Sequence, residues 1–295
     1  MKIGFIGLGI MGKPMALNLK KAVYDLLVFD IVKSSVKVLT DAGAEAADSI
    51  KEVAEKADII LTMLPNSPHV KTVIAGENGV LEGISSGKIV IDMSSIAPGV
   101  SQEMSKLLQE KGVAFLDAPV SGGEPKAVDG TLAFMVGGPE ETFKKVEEIL
   151  NVMGGSVTLV GDVGSGNVTK LANQIIVALN IAAVSEAMVL ATKAGVDPEA
   201  VFNAIKGGLA GSTVLNAKMP LILEGNFKPG FRIELHIKDL MNALETAHDV
   251  GVPIPLTSSV MEIMQALKVK GHEKDDHGGI IQFYESMADV KVRRK

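Results

Sequence analysis

The chain has 295 residues, 47% of them hydrophobic and 22% charged, with no cysteine and a formal net charge of −6. That length exceeds the usual reach of one hydrophobic core, so two domains are expected, and the apolar content leaves no case for a disordered chain. The acidic balance argues against nucleic acid as a partner, its basic cluster from Lys291 to Lys295 lying at one end, and the lack of cysteine excludes disulfides, thiolate nucleophiles and Cys-ligated zinc.

The first segment, Met1-Lys2-Ile3-Gly4-Phe5-Ile6-Gly7, reads as a short apolar strand running into glycines rather than as an export signal, so a cytoplasmic protein is expected. The strand Lys2 to Ile6 leads into Gly7-Leu8-Gly9-Ile10-Met11-Gly12 and a helical run from Ile10 to Ala22. In that context Gly7 allows a tight turn, Gly9 lets the backbone approach a pyrophosphate, and Gly12 lets helix and strand pack closely. The helix N-terminus supplies N–H groups and partial positive charge. A second strand, Asp25 to Asp30, ends on a carboxylate near the ~20-residue spacing expected of the acid that accepts from the adenosine ribose hydroxyls. Its charge would repel a 2′-phosphate, and Ile31 and Val32 offer no arginine, so NAD(H) is preferred, with Lys33 keeping NADP(H) open.

Further strands follow at Asp58 to Met63, Lys88 to Asp92, Val113 to Asp117 and Leu132 to Val136, alternating with helical segments such as Gly99 to Lys111. This alternation predicts an α/β, Rossmann-type doubly wound parallel sheet over residues 1–162. The loops Leu64-Pro65-Asn66-Ser67 and Ser94-Ser95-Ile96 leave strand ends where such sheets bind ligands, so Leu64, Pro65 and Ser95 are candidates for the nicotinamide ribose; helix capping is an equal alternative. Asp117-Ala118-Pro119-Val120-Ser121-Gly122-Gly123 closes the fifth expected strand in a turn whose hydroxyl and amides form a small carboxylate pocket, or simply a turn.

From Asn167 to Ala194 there is neither glycine nor proline, which predicts one long interdomain helix within residues 163–194. Its apolar stretch approaches membrane-span length, but Asn180, Ser185 and Glu186 interrupt it. A buried interdomain or intersubunit helix is expected, and no membrane partner. Asn167, Lys170 and Gln174 share one face of its first turns, pointing at a cleft. Lys170 is the candidate proton donor to an oxygen that gains charge during hydride transfer, against the alternative of a solvated lysine. Residues 195–295 read as all-helical, with helices near Pro198 to Lys206, Ile237 to Val250 and Leu256 to Lys270. The five histidines form no His-x-x-x-His pair, so no metal is expected, and His272 to His277 reads as a solvated polar loop.

Four motifs in order, the glycine run Gly7 to Gly12, Asp117 to Gly123, the glycine-rich approach to Lys170, and Lys238-Asp239-Leu240, resemble the β-hydroxyacid dehydrogenase family along essentially the whole chain. Leu64 to Val70, Gly208 to Thr213 and Phe231 to Leu240 resemble those members that reduce tartronate semialdehyde (2-hydroxy-3-oxopropanoate) to glycerate. The resemblance implies Lys170 as the catalytic lysine, Ser121, Gly122 and Gly123 as the grip on the substrate carboxylate, and Asn173 or Gln174 as the orienting residue. It also implies Lys238 against the cofactor and Phe231 and Asp239 lining the site. Gln174 stands where many members carry a second asparagine. Family members use no metal and assemble as dimers or tetramers, so a homo-oligomer acting on a small carboxylate-bearing aldehyde or hydroxyacid is expected. Dehydrogenases of 3-hydroxyisobutyrate or 4-hydroxybutyrate are the near alternatives, and a non-enzymatic dinucleotide sensor the distant one.

Overall fold

The computed structural model describes residues 1–294, which form two compact units, Met1–Lys170 and the chain from Leu171 onward. In the first unit, strands β1 (Lys2–Ile6), β2 (Asp25–Phe29), β3 (Glu45–Ala46), β4 (Ile59–Thr62), β5 (Ile89–Asp92), β6 (Ala114–Asp117), β7 (Val120–Ser121), β8 (Leu132–Gly137) and β9 (Gly154–Gly161) make one sheet. Its parallel part runs β3-β2-β1-β4-β5-β6; β8 then pairs antiparallel with β6 and β7, and parallel with β9. The order reverses between β1 and β4, which places a binding crevice outside the carboxyl ends of these strands. β4 is buried along its whole length and β1 beyond Lys2, as strands covered by helices on both faces must be. One face packs Phe5, Leu61 and Leu116 with Met15 and Leu19; the other packs Ile60 and Val90 with Val53, Val70 and Met104.

Three strands escaped the sequence reading. β3 and β7 have two residues each, and β9, paired with β8, has no buried residue, so no burial pattern announces it. The strand ending at Asp117 is therefore the sixth.

The long helix spans Ser165–Lys193, starting in the first unit and continuing into the second. Besides it the second unit contains helices Pro198–Ile205, Thr213–Leu223, Ile233–Asp249, Pro255–Val269 and Ile281–Ala288, and a 3₁₀ turn His277–Ile280. Ile181, Ile237, Leu240, Val260 and Met264 form one core, and Met188, Leu215, Met219, Ile281 and Val292 a second. The helix at Thr213–Leu223 was not expected because Pro220 sits inside it; Ser212 caps its start through Leu215 N at 3.0 Å.

One expectation needs correction. The segment before the 3₁₀ turn is not a solvated loop: Asp276 and His277 are buried, Asp276 accepting from Lys218 Nζ at 2.8 Å and from the amides of Gly230, Phe231 and Gly278. The basic residues Lys291, Arg293 and Arg294 are engaged within the chain. Buried Glu285 accepts from Val292 N and Arg293 and pairs with Lys291, each at 2.9 Å, and Arg294 pairs with Glu199.

Candidate active site

The glycine loop leaves β1 at the point of strand reversal. Gly7 has φ +96°, and a β-carbon there would strike Met63 O; one on Gly12 would strike Gly7 O. These two glycines are demanded by the fold. Gly9 is different: a β-carbon there meets nothing within 4 Å, and Gly9 and Ile10 are exposed. The helix that follows, Gly12–Lys21, starts at Met11 without a side-chain cap. Asp30 at the end of β2 accepts from Leu8 N at 2.5 Å and from Val32 N at 2.7 Å, so its carboxylate fastens the loop it was expected to complement.

The loops after β4 and β5 are joined by a residue that the sequence reading passed over. Asp92 is fully buried, and its Oδ1 accepts from Thr62 Oγ1 at 2.7 Å and Ser94 Oγ at 2.5 Å. Ser94 Oγ in turn accepts from Leu64 N at 2.8 Å. Burial pushes the Asp92 carboxyl up to about 6, against the pull of those hydroxyls. Leu64 is thus held by Ser94, while Pro65 is exposed and Ser95 half-buried. Asn66 caps the helix Ser67–Ala75, its side chain accepting from Ser67 N, so this residue of the loop is spent on capping.

β6 ends at Asp117, paired in register with Asp92. Its two carboxylate oxygens accept from Gly164 N and Asn167 N, each at 2.7 Å, and so receive the start of the long helix. Burial raises this carboxyl to about 6 as well. The Asn167 side chain is spent on Ile96 N and Ser101 Oγ, so the expectation that it faces a cleft fails. Lys170, one turn on, is 7% exposed, which replaces the solvated alternative by a buried lysine. Ser121 closes β7 and is half-buried; Gly122 (φ +138°) and Gly123 (φ +70°) adopt backbone angles that only glycine takes readily, so the turn itself requires them.

In the second unit, Gln174 is 4% exposed, and its Nε2 donates to Asp239 Oδ2 at 2.6 Å while its Oε1 accepts from Asn173 Nδ2 at 2.8 Å. Lys238 pairs with the other Asp239 oxygen at 3.0 Å. Gln174 O accepts from His236 Nε2 at 3.1 Å, and Phe231 packs edge-on against His236 and His277. Asn173, Gln174, Lys238, Asp239 and Phe231 are therefore one connected group, with His236 as a member that the sequence did not announce.

A family model described as the NAD binding domain of 6-phosphogluconate dehydrogenase matches residues 2–161, and one for the NAD-binding of NADP-dependent 3-hydroxyisobutyrate dehydrogenase matches residues 164–284. Over 292 residues the chain is 44% identical to 2-hydroxy-3-oxopropionate reductase of Escherichia coli strain K12, covering 99% of this chain and 100% of that one. The chain belongs to the β-hydroxyacid dehydrogenase family. It is also similar to 2-(hydroxymethyl)glutarate dehydrogenase of Eubacterium barkeri, at 40% identity over 99% of this chain and 97% of the other. A solved structure of Mycobacterium tuberculosis 3-hydroxyisobutyrate dehydrogenase with L-serine matches with TM-score 0.88 at 32% identity, covering 96% of this chain and 98% of that one. As a β-hydroxyacid dehydrogenase the protein is a nicotinamide-dinucleotide-dependent oxidoreductase.

Proposed function

We propose that the protein reduces tartronate semialdehyde to D-glycerate, reversibly, with Lys170 as general acid in reduction and general base in oxidation. Full-length identity of 44% to a 2-hydroxy-3-oxopropionate reductase carries the substrate reading. The buried Lys170 and Gln174, one helical turn apart on the same face, carry the mechanistic one. The glycine loop suits a dinucleotide: Gly9 offers backbone with no side chain in the way, next to an uncapped helix start. The cofactor supplies the hydride.

Gly7 through Gly12 hold the pyrophosphate by backbone amides, Leu64, Pro65 and Ser95 flank the nicotinamide ribose, and Lys238 contacts the cofactor. The Asp30 carboxylate has lone pairs beyond those given to Leu8 N and Val32 N, and these accept from the ribose hydroxyls. Its charge disfavours a 2′-phosphate, so NADH is preferred. Ser121, Gly122 and Gly123 grip the substrate carboxylate. Gln174 orients the substrate and Asn173 supports it, since the Asn173 amide is already committed to Gln174 Oε1; Phe231 and Asp239 line the site. In reduction, Lys170 Nζ–H gives its proton to the carbonyl oxygen as the carbon receives hydride, leaving a neutral amine that is reprotonated from water.

The protein works in the cytoplasm as a homo-oligomer, without metal, membrane or nucleic acid. Exposed Ile176 and Leu190 of the long helix, 60% and 72% accessible, are covered by a second subunit. Light scattering on the purified protein reads that assembly. A Lys170→Ala enzyme should bind NADH normally and lose at least about 100-fold in kcat; wild-type turnover by this variant would overturn the mechanism. A substrate panel followed by NADH absorbance separates tartronate semialdehyde from 3-hydroxyisobutyrate and 2-(hydroxymethyl)glutarate, the second reading being kept by the 40% relative.

A further inference from the structure

The second unit buries two imidazoles against each other. His236 is 0% and His277 7% exposed, with Nδ1 to Nδ1 at 3.0 Å and ring centroids 5.0 Å apart. Elementary donor counting fixes their protons. The His236 Nε2 contact is to a backbone carbonyl, Gln174 O, which only accepts, so Nε2 carries hydrogen. When His236 is neutral its Nδ1 is then a bare acceptor, and the 3.0 Å contact requires His277 to donate from its own Nδ1. The neutral pair thus has one arrangement: His236 as the Nε2–H tautomer and His277 as the Nδ1–H tautomer. His277 is held by its own backbone, His277 N donating to Phe231 O at 2.8 Å, and the Phe231 ring closes over both imidazoles.

His236 lies one turn before Asp239 on the helix Ile233–Asp249. That helix therefore grasps residue 174 twice, at its carbonyl through His236 and at its side-chain amide through Asp239. The carboxylate on one end and the Asn173 amide on the other also decide which way the Gln174 amide faces, leaving one N–H and one oxygen lone pair for a substrate.

We propose that His236 and His277 are positioning residues for Gln174: His277 locks His236 as an Nε2–H donor, and His236 with Asp239 clamps Gln174 at both ends. This rests on the reading above that Gln174 orients the substrate. The pair acts through Gln174.

The test uses full-length protein labelled with 15N-histidine. Long-range proton–nitrogen spectra near neutral pH should show two buried neutral rings of opposite tautomer, assigned to His236 and His277 by their loss in His236→Gln and His277→Asn. In kinetics, His277→Leu should lower kcat/KM for the aldehyde about 5- to 10-fold, the scale of one net hydrogen bond, with NADH affinity unchanged. His277→Asn, whose amide N–H replaces the Nδ1–H, should restore most of it. His236→Gln should likewise outperform His236→Leu, because the glutamine nitrogen replaces Nε2. Two rings of the same tautomer would overturn the proposal, as would equal impairment of His277→Leu and His277→Asn, or wild-type kinetics in His277→Leu. The spectrum needs no substrate, so it judges the pair even if the leucine variant does not fold. A wild-type enzyme inactive on every aldehyde would sink the substrate reading separately.

Discussion

Replacing Gly9 by alanine should make the protein more stable and a worse binder of NADH, an opposition of sign that its neighbours in the same motif do not share. A β-carbon at position 9 meets no atom within 4 Å, and Gly9 is not among the glycines with positive φ. The folded state therefore loses nothing, while the unfolded chain loses freedom, a gain of about 0.4–1 kcal/mol. For a unit of this size that raises Tm by roughly 1–3 °C. The methyl group stands where a pyrophosphate must approach the backbone. Losing one charge-assisted hydrogen bond of about 1.5–3 kcal/mol weakens NADH by roughly 10- to 150-fold. Gly12→Ala drives its methyl into Gly7 O and Gly7→Ala into Met63 O, both backbone atoms that cannot swing away, so both should lower Tm. Thermal melts without cofactor and NADH titration by fluorescence read the two quantities independently. The reasoning is refuted if Gly9→Ala melts below wild type, or if it binds NADH with wild-type affinity.

Asp92 provides a pH test. Its carboxyl is raised from 3.8 to about 6 by burial, so between those values the native state binds more protons than the unfolded state. Stability from this group is therefore fully present below about pH 4 and is lost as pH rises through 6, by about 3 kcal/mol. Asp92→Asn should flatten the dependence of the urea midpoint over that window, leaving the part due to Asp117; an unchanged slope would contradict the burial argument. Deleting residues 290–295 strips buried Glu285 of its Val292, Arg293 and Lys291 partners and should cost up to about 3–5 kcal/mol in urea unfolding, whereas a wild-type midpoint would show that the tail contributes nothing. Asp30→Ser should raise the ratio of kcat/KM with NADPH to that with NADH, because the charge facing a 2′-phosphate is gone. An unaltered ratio would move cofactor choice elsewhere.

The first six long strands and the great helix were legible because each follows a local rule. Fully buried parallel strands read as apolar runs, and a stretch free of glycine and proline reads as helix. The glycine turn was legible for the same reason, since a turn that needs φ +96° at Gly7 writes that need into one residue. Lys170 could be picked out as a polar residue on an apolar helix, but whether it was solvated depended on which elements surround it, and only the fold answered that. What the sequence could not express were meetings between distant segments: Asp92 with Thr62, Ser94 with Leu64, Asp117 with the helix start, and His236 with His277. Backbone conformation and apolar periodicity are set by neighbours along the chain and can be read there. The proton of an imidazole, the satisfaction of a buried carboxylate and the face a glutamine presents are set by neighbours in space, and these the tertiary structure alone decided.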